Sequence, residues 1–405
     1  MDTKDKATYL ATKMNNISPF HVMRVLSRAK QLEKAGRDII HMEVGEPDFT
    51  TPEPIIKAAN QALSQGLTQY TPANGIEELR EEIAGFYQSR YGVRISPKRI
   101  IITPGATGAL QLVLAALLNV GDEVLLPDPG YPCNRHYVEL YNGKPIALNV
   151  DATTRYQPTT SSIKEHWTDK TRALMLASPA NPTGSLLYKE DLQTYLKTIQ
   201  ELAEKSEKRA DYPALIVDEI YHGLVYGDAD KSLDTALSLE NSEQLFVINS
   251  FSKYFGMTGW RLGWVVAPES YIEALDRLAQ NIFLCAPTPS QYAAVAAFSD
   301  ESIAIMEQRK QAFEARRDFL LPALRDLGFE IPIAPEGAFY LYANCKKFTS
   351  DSMEFASQIL EETGVAITPG LDFGSNKPEE FVRFAYTTSV DRLEEAVDRL
   401  RGFLK

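Results

Sequence analysis

Lys253 lies in the segment Ser250-Phe251-Ser252-Lys253-Tyr254-Phe255-Gly256-Met257-Thr258-Gly259-Trp260-Arg261. An amine, two nearby hydroxyls and a guanidinium eight residues downstream form a set with definite chemistry. A lysine forms a Schiff base with an aldehyde cofactor when its amine is partly desolvated or placed beside positive charge. Two hydroxyls and a guanidinium suit the phosphate that such a cofactor carries. The segment follows the apolar run Leu245 to Ile248, which reads as a buried strand. That strand would deliver all four groups to one end of a sheet. Taken alone, Lys253 also reads as an ordinary lysine on a surface loop.

Four further segments share this layout, an apolar strand-like run leading into polar chemistry. The run from Ala214 ends in Asp218, with Tyr221 three residues on. A carboxylate there can hold a pyridine nitrogen protonated through a charge-assisted hydrogen bond of roughly 1.5–3 kcal/mol. The Tyr221 hydroxyl could reach the ring's phenolic oxygen. The competing reading of Asp218 is a helix N-cap after a strand. The run Arg172 to Ala177 leads into Ser178-Pro179-Ala180-Asn181-Pro182-Thr183-Gly184, and its Asn181 amide could bond the same oxygen. The run Arg99 to Thr103 leads into Pro104-Gly105-Ala106-Thr107-Gly108. Glycine permits a tight turn there, and the helix N-terminus beyond it can cradle phosphate. Many strand-to-helix turns share that glycine pattern. Finally, Glu123 to Pro127 is followed by Asp128-Pro129-Gly130-Tyr131-Pro132, which presents a ring that could stack on a flat cofactor.

Together these segments resemble the pyridoxal-phosphate-dependent aminotransferases of fold type I, class I/II, from about Gly45 to Arg383. The ordered set Asn181, Asp218 to Tyr221, Ser250 to Lys253 and Arg261 is specific to that family. The resemblance makes Lys253 the Schiff-base lysine, Asp218 the partner of the pyridinium, Asn181 and Tyr221 the ligands of the ring oxygen, and Tyr131 the stacking ring. It gives Ala106, Thr107, Ser250, Ser252 and Arg261 to the phosphate, with Gly105 at the turn. Tyr70, in Gln69-Tyr70-Thr71-Pro72, matches the tyrosine that reaches the partner subunit's phosphate. Gly45 matches a glycine whose backbone lies beside the substrate. Arg383, in Val382-Arg383-Phe384, matches the arginine that grips the substrate's α-carboxylate. Unaided by the family, Arg383 reads as an ordinary surface charge. Phe20, Val22, the neighbours of Tyr131, and Phe339 are expected around the substrate side chain.

The chain has 405 residues, longer than one hydrophobic core usually grows, so two domains are expected. With 42 basic and 54 acidic residues the net charge is −12, which argues against broad nucleic-acid or anionic-membrane binding. That balance leaves room for a local basic pocket. Cys133, Cys285 and Cys345 are far apart and lack a Cys-x-x-Cys pair, and the five histidines lack metal-ligand spacing. Neither a disulfide framework nor a metal site is expected. The first twenty residues lack the apolar centre of a signal peptide. No run reaches roughly 18 apolar residues, so no membrane span is expected. Cytoplasm is the default expectation.

The elements that must position these residues follow from patterning. Between about Ala106 and Phe283, strand-like runs alternate with helical patterns, as in a mostly parallel sheet covered by helices. Each candidate cofactor residue there follows the C-terminal end of a strand, where open α/β sheets bind ligands. Residues 1–45 resemble an N-terminal arm, in which Leu26, Ala29, Leu32 and Ala35 recur at helical spacing before Gly36. The charged run Glu201 to Arg209 reads as a solvated helix end. From about Ser290 a long helical stretch covers Gln291 to Leu324, with short strands at Ala338 to Tyr342 and Phe381 to Ala385. Val390, Leu393, Val397, Leu400 and Leu404 resemble a heptad of two repeats, read as a helix packed on its own domain. The expected fold is α/β. A large domain spans 46–289. A smaller α+β domain combines 290–405 with the arm.

The leading functional expectation is a homodimeric aminotransferase moving an amino group between an L-amino acid and a 2-oxo acid by a ping-pong cycle. A second reading is a C–S β-lyase on the same fold, which would use the same Lys253, Asp218 and Arg383. Pyruvate and ammonia formed without an added keto acid would mark the lyase. A transcription regulator with an enzyme-like sensor would need a DNA-binding domain ahead of Gly45. A dehydrogenase or kinase lacks its Gly-x-Gly-x-x-Gly or Gly-Lys-Ser/Thr signature.

Overall fold

The structure is a computed structural model that describes residues 10–205, 213–240 and 242–404. Its strands in chain order are β1 (Ile40–His41), β2 (Ile100–Thr103), β3 (Glu123–Asp128), β4 (Lys144–Asn149), β5 (Thr171–Ala177) and β6 (Ala214–Asp218). They continue as β7 (Leu245–Ser250), β8 (Gly263–Val266), β9 (Tyr340–Asn344), β10 (Val365–Ala366), β11 (Thr368–Pro369) and β12 (Phe381–Ala385). A seven-stranded sheet runs β2-β8-β7-β6-β5-β3-β4. Only β8 is antiparallel to its neighbours. The C-terminal ends of β2, β3, β5, β6 and β7 therefore lie on one edge, and β8 starts from that edge.

Burial on both faces explains the continuous apolar runs of these strands. Along β6, Leu215 and Val217 join one buried cluster with Leu174, Leu176, Val247 and Trp264. Ile216 points the other way, into a second cluster with Phe246, Ile248 and Val265, covered by Leu275 and Ala279 of the helix Ile272–Ile282. The period of two in side-chain direction thus feeds two cores from one run of residues.

The remaining strands form an antiparallel sheet β11-β12-β9 and a parallel pair β1-β10, in which Ile40 faces Val365. That pair joins the N-terminal part of the chain to the C-terminal part. The fold is α/β with a mostly parallel central sheet.

Several expectations need correction. The long helical stretch is two helices, Thr288–Val295 and Asp300–Leu327. Ser299 breaks it by taking an extended conformation, and its side chain accepts from the Ser302 N–H as an N-cap. The arm helix is His21–Lys34, and its buried face is Val22, Val25, Ala29 and Leu32. Ala35 lies beyond the helix and is exposed, and Gly36 follows at φ +89°. The strand anticipated at Ala338 starts at Tyr340, because Ala338 sits at φ +61° with its carbonyl taking the Tyr226 and Tyr386 hydroxyls. The helix before β6 ends at Glu204, and the rest of the charged run, 206–209, lies outside the described residues. The helix Val390–Phe403 buries Leu393, Ala396, Val397 and Leu400 against the rest of the chain. Among the described residues no helix is long and apolar enough to cross a membrane.

One close approach fixes the sheet edge. A Cβ on Gly263 would lie 2.6 Å from the Ala106 nitrogen, 2.6 Å from the Gly105 carbonyl carbon and 2.9 Å from the Asn249 oxygen. All three are backbone atoms, so no flexible side chain can give way. Gly263→Ala should destabilise the protein by about 1–3 kcal/mol through overpacking and lower its melting temperature measurably. An unchanged melting curve would show that the helix start does not rest on β8.

Candidate active site

A cavity of about 230 Å³ opens at the shared sheet edge. Ala106 and Thr107 line it after β2, Tyr131 after β3, and Asn181 after β5. Asp218 and Tyr221 come from the end of β6, and Ser250, Ser252 and Lys253 from the end of β7. Arg261 precedes β8, and Arg383 enters from β12 on the other sheet. The five segments singled out in sequence therefore meet around one space.

The Lys253 amine donates to the Gly45 carbonyl at 2.5 Å and lies 5.7 Å from the centre of the Tyr221 ring. Burial lowers its pKa to about 8, with Arg383 and Arg261 acting in the same direction and Glu46 and Asp218 against it. About a tenth of the amine is thus neutral at pH 7, against well under a hundredth for an ordinary lysine.

Asp218 is buried and accepts the Ile220 N–H at 3.0 Å. Burial raises its pKa to about 6, opposed by that hydrogen bond and by the charge on Lys253. A carboxyl group perturbed in this sense is stabilised as an anion by a cation placed against it. Its neighbour Glu219 turns away from the cavity and accepts from the Thr235 hydroxyl and the Ala236 N–H.

At the other end of the cavity the structure forms an anion cradle. The helix Gly105–Leu117 begins there, with its first N–H groups free of helical partners. The Ser250 hydroxyl donates to Ser252 Oγ at 3.0 Å, and Ser252 N–H donates back to Ser250 Oγ at 3.0 Å. Arg261 is anchored on the Thr258 carbonyl at 3.0 Å, and its Nη2 packs so close to Gly105 that a Cβ there would lie 2.8 Å away. Gly105 is at φ +71°, so the tight turn read from the sequence is present, although its own atoms do not line the cavity.

Arg383 is buried, not a surface charge. It donates to Asn181 Oδ1 at 2.8 Å, to the Glu43 carbonyl at 2.6 Å and to Thr368 Oγ1 at 3.2 Å. Its Nε has no hydrogen-bond partner among the described residues. Its guanidinium lies 4.2 Å from the centre of the Tyr340 ring.

One expected residue stands elsewhere. Phe339 is fully buried behind Tyr221, their ring centres 5.4 Å apart, and does not line the cavity. The strand's alternation presents Tyr340 instead, a residue that sequence reasoning passed over because an adjacent aromatic offered no way to choose the phase. Tyr70 is 82% exposed and outside the cavity of its own chain. Phe20 and Val22 do line it, with Gly45 beside them. A larger cavity of about 440 Å³ lies across Tyr131 and Asn181, but neither Lys253 nor Asp218 reaches it.

These residues fit pyridoxal phosphate on three independent counts: an anion cradle, a buried carboxylate short of a cation, and a partly neutral amine between them. Among the described residues no cluster of three His, Cys, Asp or Glu could hold a metal.

Comparison with known proteins agrees. Residues 37–400 match the family model "Aminotransferase class I and II". The chain is 38% identical over 395 residues to the (5-formylfuran-3-yl)methyl phosphate transaminase of Methanocaldococcus jannaschii, covering 98% of this chain and 99% of that protein. It is 38% identical over 388 residues to the valine–pyruvate aminotransferase of Mycobacterium tuberculosis, covering 96% and 97%. The crystal structure of an aminotransferase from Mycobacterium tuberculosis superposes with a TM-score of 0.90 at 36% identity, covering 98% of this chain and 99% of that one.

The lowered Lys253 pKa has a direct consequence in the protein stripped of cofactor. Lys253 should react with an amine-acylating reagent with a half-rise near pH 8, whereas an ordinary exposed lysine follows a pKa near 10.4. Peptide mapping across pH reads this, and a Lys253 profile matching the surface lysines would contradict it.

Proposed function

This chain belongs to the class I and II aminotransferases, which use pyridoxal phosphate to move an amino group between an amino acid and a 2-oxo acid, and from that premise we propose which residues carry the transfer. Bound pyridoxal phosphate supplies an aldehyde and an electron-accepting ring. Lys253 is the residue that holds the aldehyde and, once released by substrate, moves the proton at the substrate α-carbon. Its lowered pKa supports this, since a base must give up its own proton near the working pH. Asp218 keeps the ring nitrogen protonated, supported by its burial and need for a cation. Tyr221 and Asn181 bind the ring oxygen, Tyr131 covers the ring face, and Ala106, Thr107, Ser250, Ser252 and Arg261 hold the phosphate.

The single observation that carries this reading is that Arg383 and Lys253 line one buried cavity while Asn181 ties Arg383 to the cofactor wall. Arg383 takes the α-carboxylate, replacing neutral acceptors with a charged one in a bidentate pair. Beyond that carboxylate the cavity meets Phe20, Val22, Met23 and Leu110, with Gly45 at its edge. The cations among its lining residues are Lys253, Arg261 and Arg383, each already committed. This supports neutral amino acids as substrates over aspartate. Activity against twenty amino acids, with 2-oxoglutarate and then pyruvate as acceptors, tests that preference. Aspartate outpacing every neutral amino acid would overturn it.

The same reading makes the enzyme a cytoplasmic homodimer with shared sites, in which 46–289 binds the cofactor while 290–405 and the arm close on it. The exposure of Tyr70 supports a role in the partner's site rather than its own.

Three variants test these assignments. Removing one member of a buried charge pair costs about 2–5 kcal/mol. Arg383→Ala should therefore lower kcat/KM roughly 30- to several-thousand-fold, to a similar extent for every amino acid, because the contact is to their common part. Arg383→Lys should also be impaired. Selective loss of acidic substrates alone would make Arg383 a side-chain reader instead. Tyr70→Phe should release cofactor faster during dialysis without changing the melting temperature of the stripped protein. Equal retention would remove Tyr70 from the phosphate site.

A further inference from the structure

Tyr340 ties together the parts of the site that come from separate sheets. It is 1% exposed and starts β9, opposite Ala385 of the strand that carries Arg383. Its ring lies beneath the Arg383 guanidinium, 4.2 Å from centre to Cζ. Its hydroxyl is 2.7 Å from the Tyr221 hydroxyl. The same oxygen abuts Gly45, where a Cβ would lie 1.9 Å from it. Gly45 in turn accepts the Lys253 amine. One side chain thus touches the carboxylate-binding arginine, the tyrosine facing the ring oxygen, and the backbone on which the lysine rests.

We propose that Tyr340 is a positioning residue for the transfer, whose ring fixes Arg383 and whose hydroxyl donates to Tyr221 and so strengthens Tyr221 as a donor toward the cofactor's phenolic oxygen. This deepens the reading above and rests on it. Two hydroxyls in contact share one hydrogen between them. When the Tyr221 hydrogen is directed at the phenolic oxygen, the Tyr221 oxygen is left to accept, and Tyr340 is the donor within reach. A hydroxyl that accepts a hydrogen bond is polarised and donates more strongly, a cooperative gain of about 10–30% per bond. The chain from Tyr340 through Tyr221 therefore stabilises the anionic phenolic oxygen. That anion holds the proton of the Lys253 linkage beside it, so stabilising the oxygen loosens the proton. The charged and titratable groups facing the pair are Arg383 from β12, Tyr386 just after it, Tyr131 after β3 and Lys253 after β7, and all remain in a Tyr340→Phe protein.

The test uses holoenzyme and reads the visible absorbance of the bound cofactor against pH. Tyr340→Phe should raise the titration midpoint by about 0.3 unit, roughly a twofold change in the protonation equilibrium. In a Tyr221→Phe background the same substitution should leave the midpoint where it was, because the relay is already cut. No rise in the single variant, or an equal rise in both backgrounds, would overturn the proposal, since a general structural effect does not depend on Tyr221. A second readout separates ring from hydroxyl. Tyr340→Leu should raise KM for the amino acid about three- to thirty-fold by removing the surface under Arg383, and Tyr340→Phe should restore most of it. Equal KM values for the two variants would contradict the ring's role. A wild-type protein that shows no pH-dependent cofactor absorbance at all would instead sink the underlying site assignment.

Discussion

The burial of Lys253 is the constraint on which the site depends. A lysine in water is almost wholly protonated at neutral pH and is a poor nucleophile. Here desolvation outweighs the carboxylates of Glu46 and Asp218 and brings the amine to about 8. Arg383 and Arg261, which also line the cavity, act in the same sense. Asp218 shows the converse. Burial raises it, so that a cation beside it stabilises its ionised form. The cavity is thus set up electrically before any ligand enters, with a need for positive charge at one wall and for negative charge at the other two.

The sheet makes this possible because its parallel strands bring their C-terminal ends to one edge. Residues nearly 150 positions apart, from Ala106 to Lys253, need no long-range search beyond the alignment of five strands. The exception, β8, is equally necessary. Being antiparallel, it starts where the others finish, so Arg261, two residues before it, lands in the anion cradle. Gly263 lets β8 approach the start of the helix Gly105–Leu117. Arg383 arrives from a different sheet altogether, which explains why no local pattern around it suggests a role.

Much of this was legible in the sequence. Apolar runs leading into Asp218, Ser250 and Asn181 were readable because strands buried on both faces leave nothing to alternate. The family resemblance assigned Arg383, whose burial the structure shows. What escaped detection follows from physics that a single chain's pattern does not encode. Choosing Tyr340 over Phe339 required knowing that the strand begins only at Tyr340, after Ala338 has left the extended conformation at φ +61°. The break between the two helices near Ser299 was available in Ser299-Asp300-Glu301, an N-cap followed by acids, but the apolar spacing on either side concealed it. The importance of Gly263 lies in what is absent from it, which no motif records.

The most direct test of the central claim is to identify the lysine that holds the cofactor. The protein loaded with pyridoxal phosphate is reduced with borohydride, digested, and the modified peptide sequenced by mass spectrometry. The account predicts a single stoichiometric label on Lys253, absent from a Lys253→Ala variant that still folds. A label on any other lysine, or one undiminished in that variant, would contradict it.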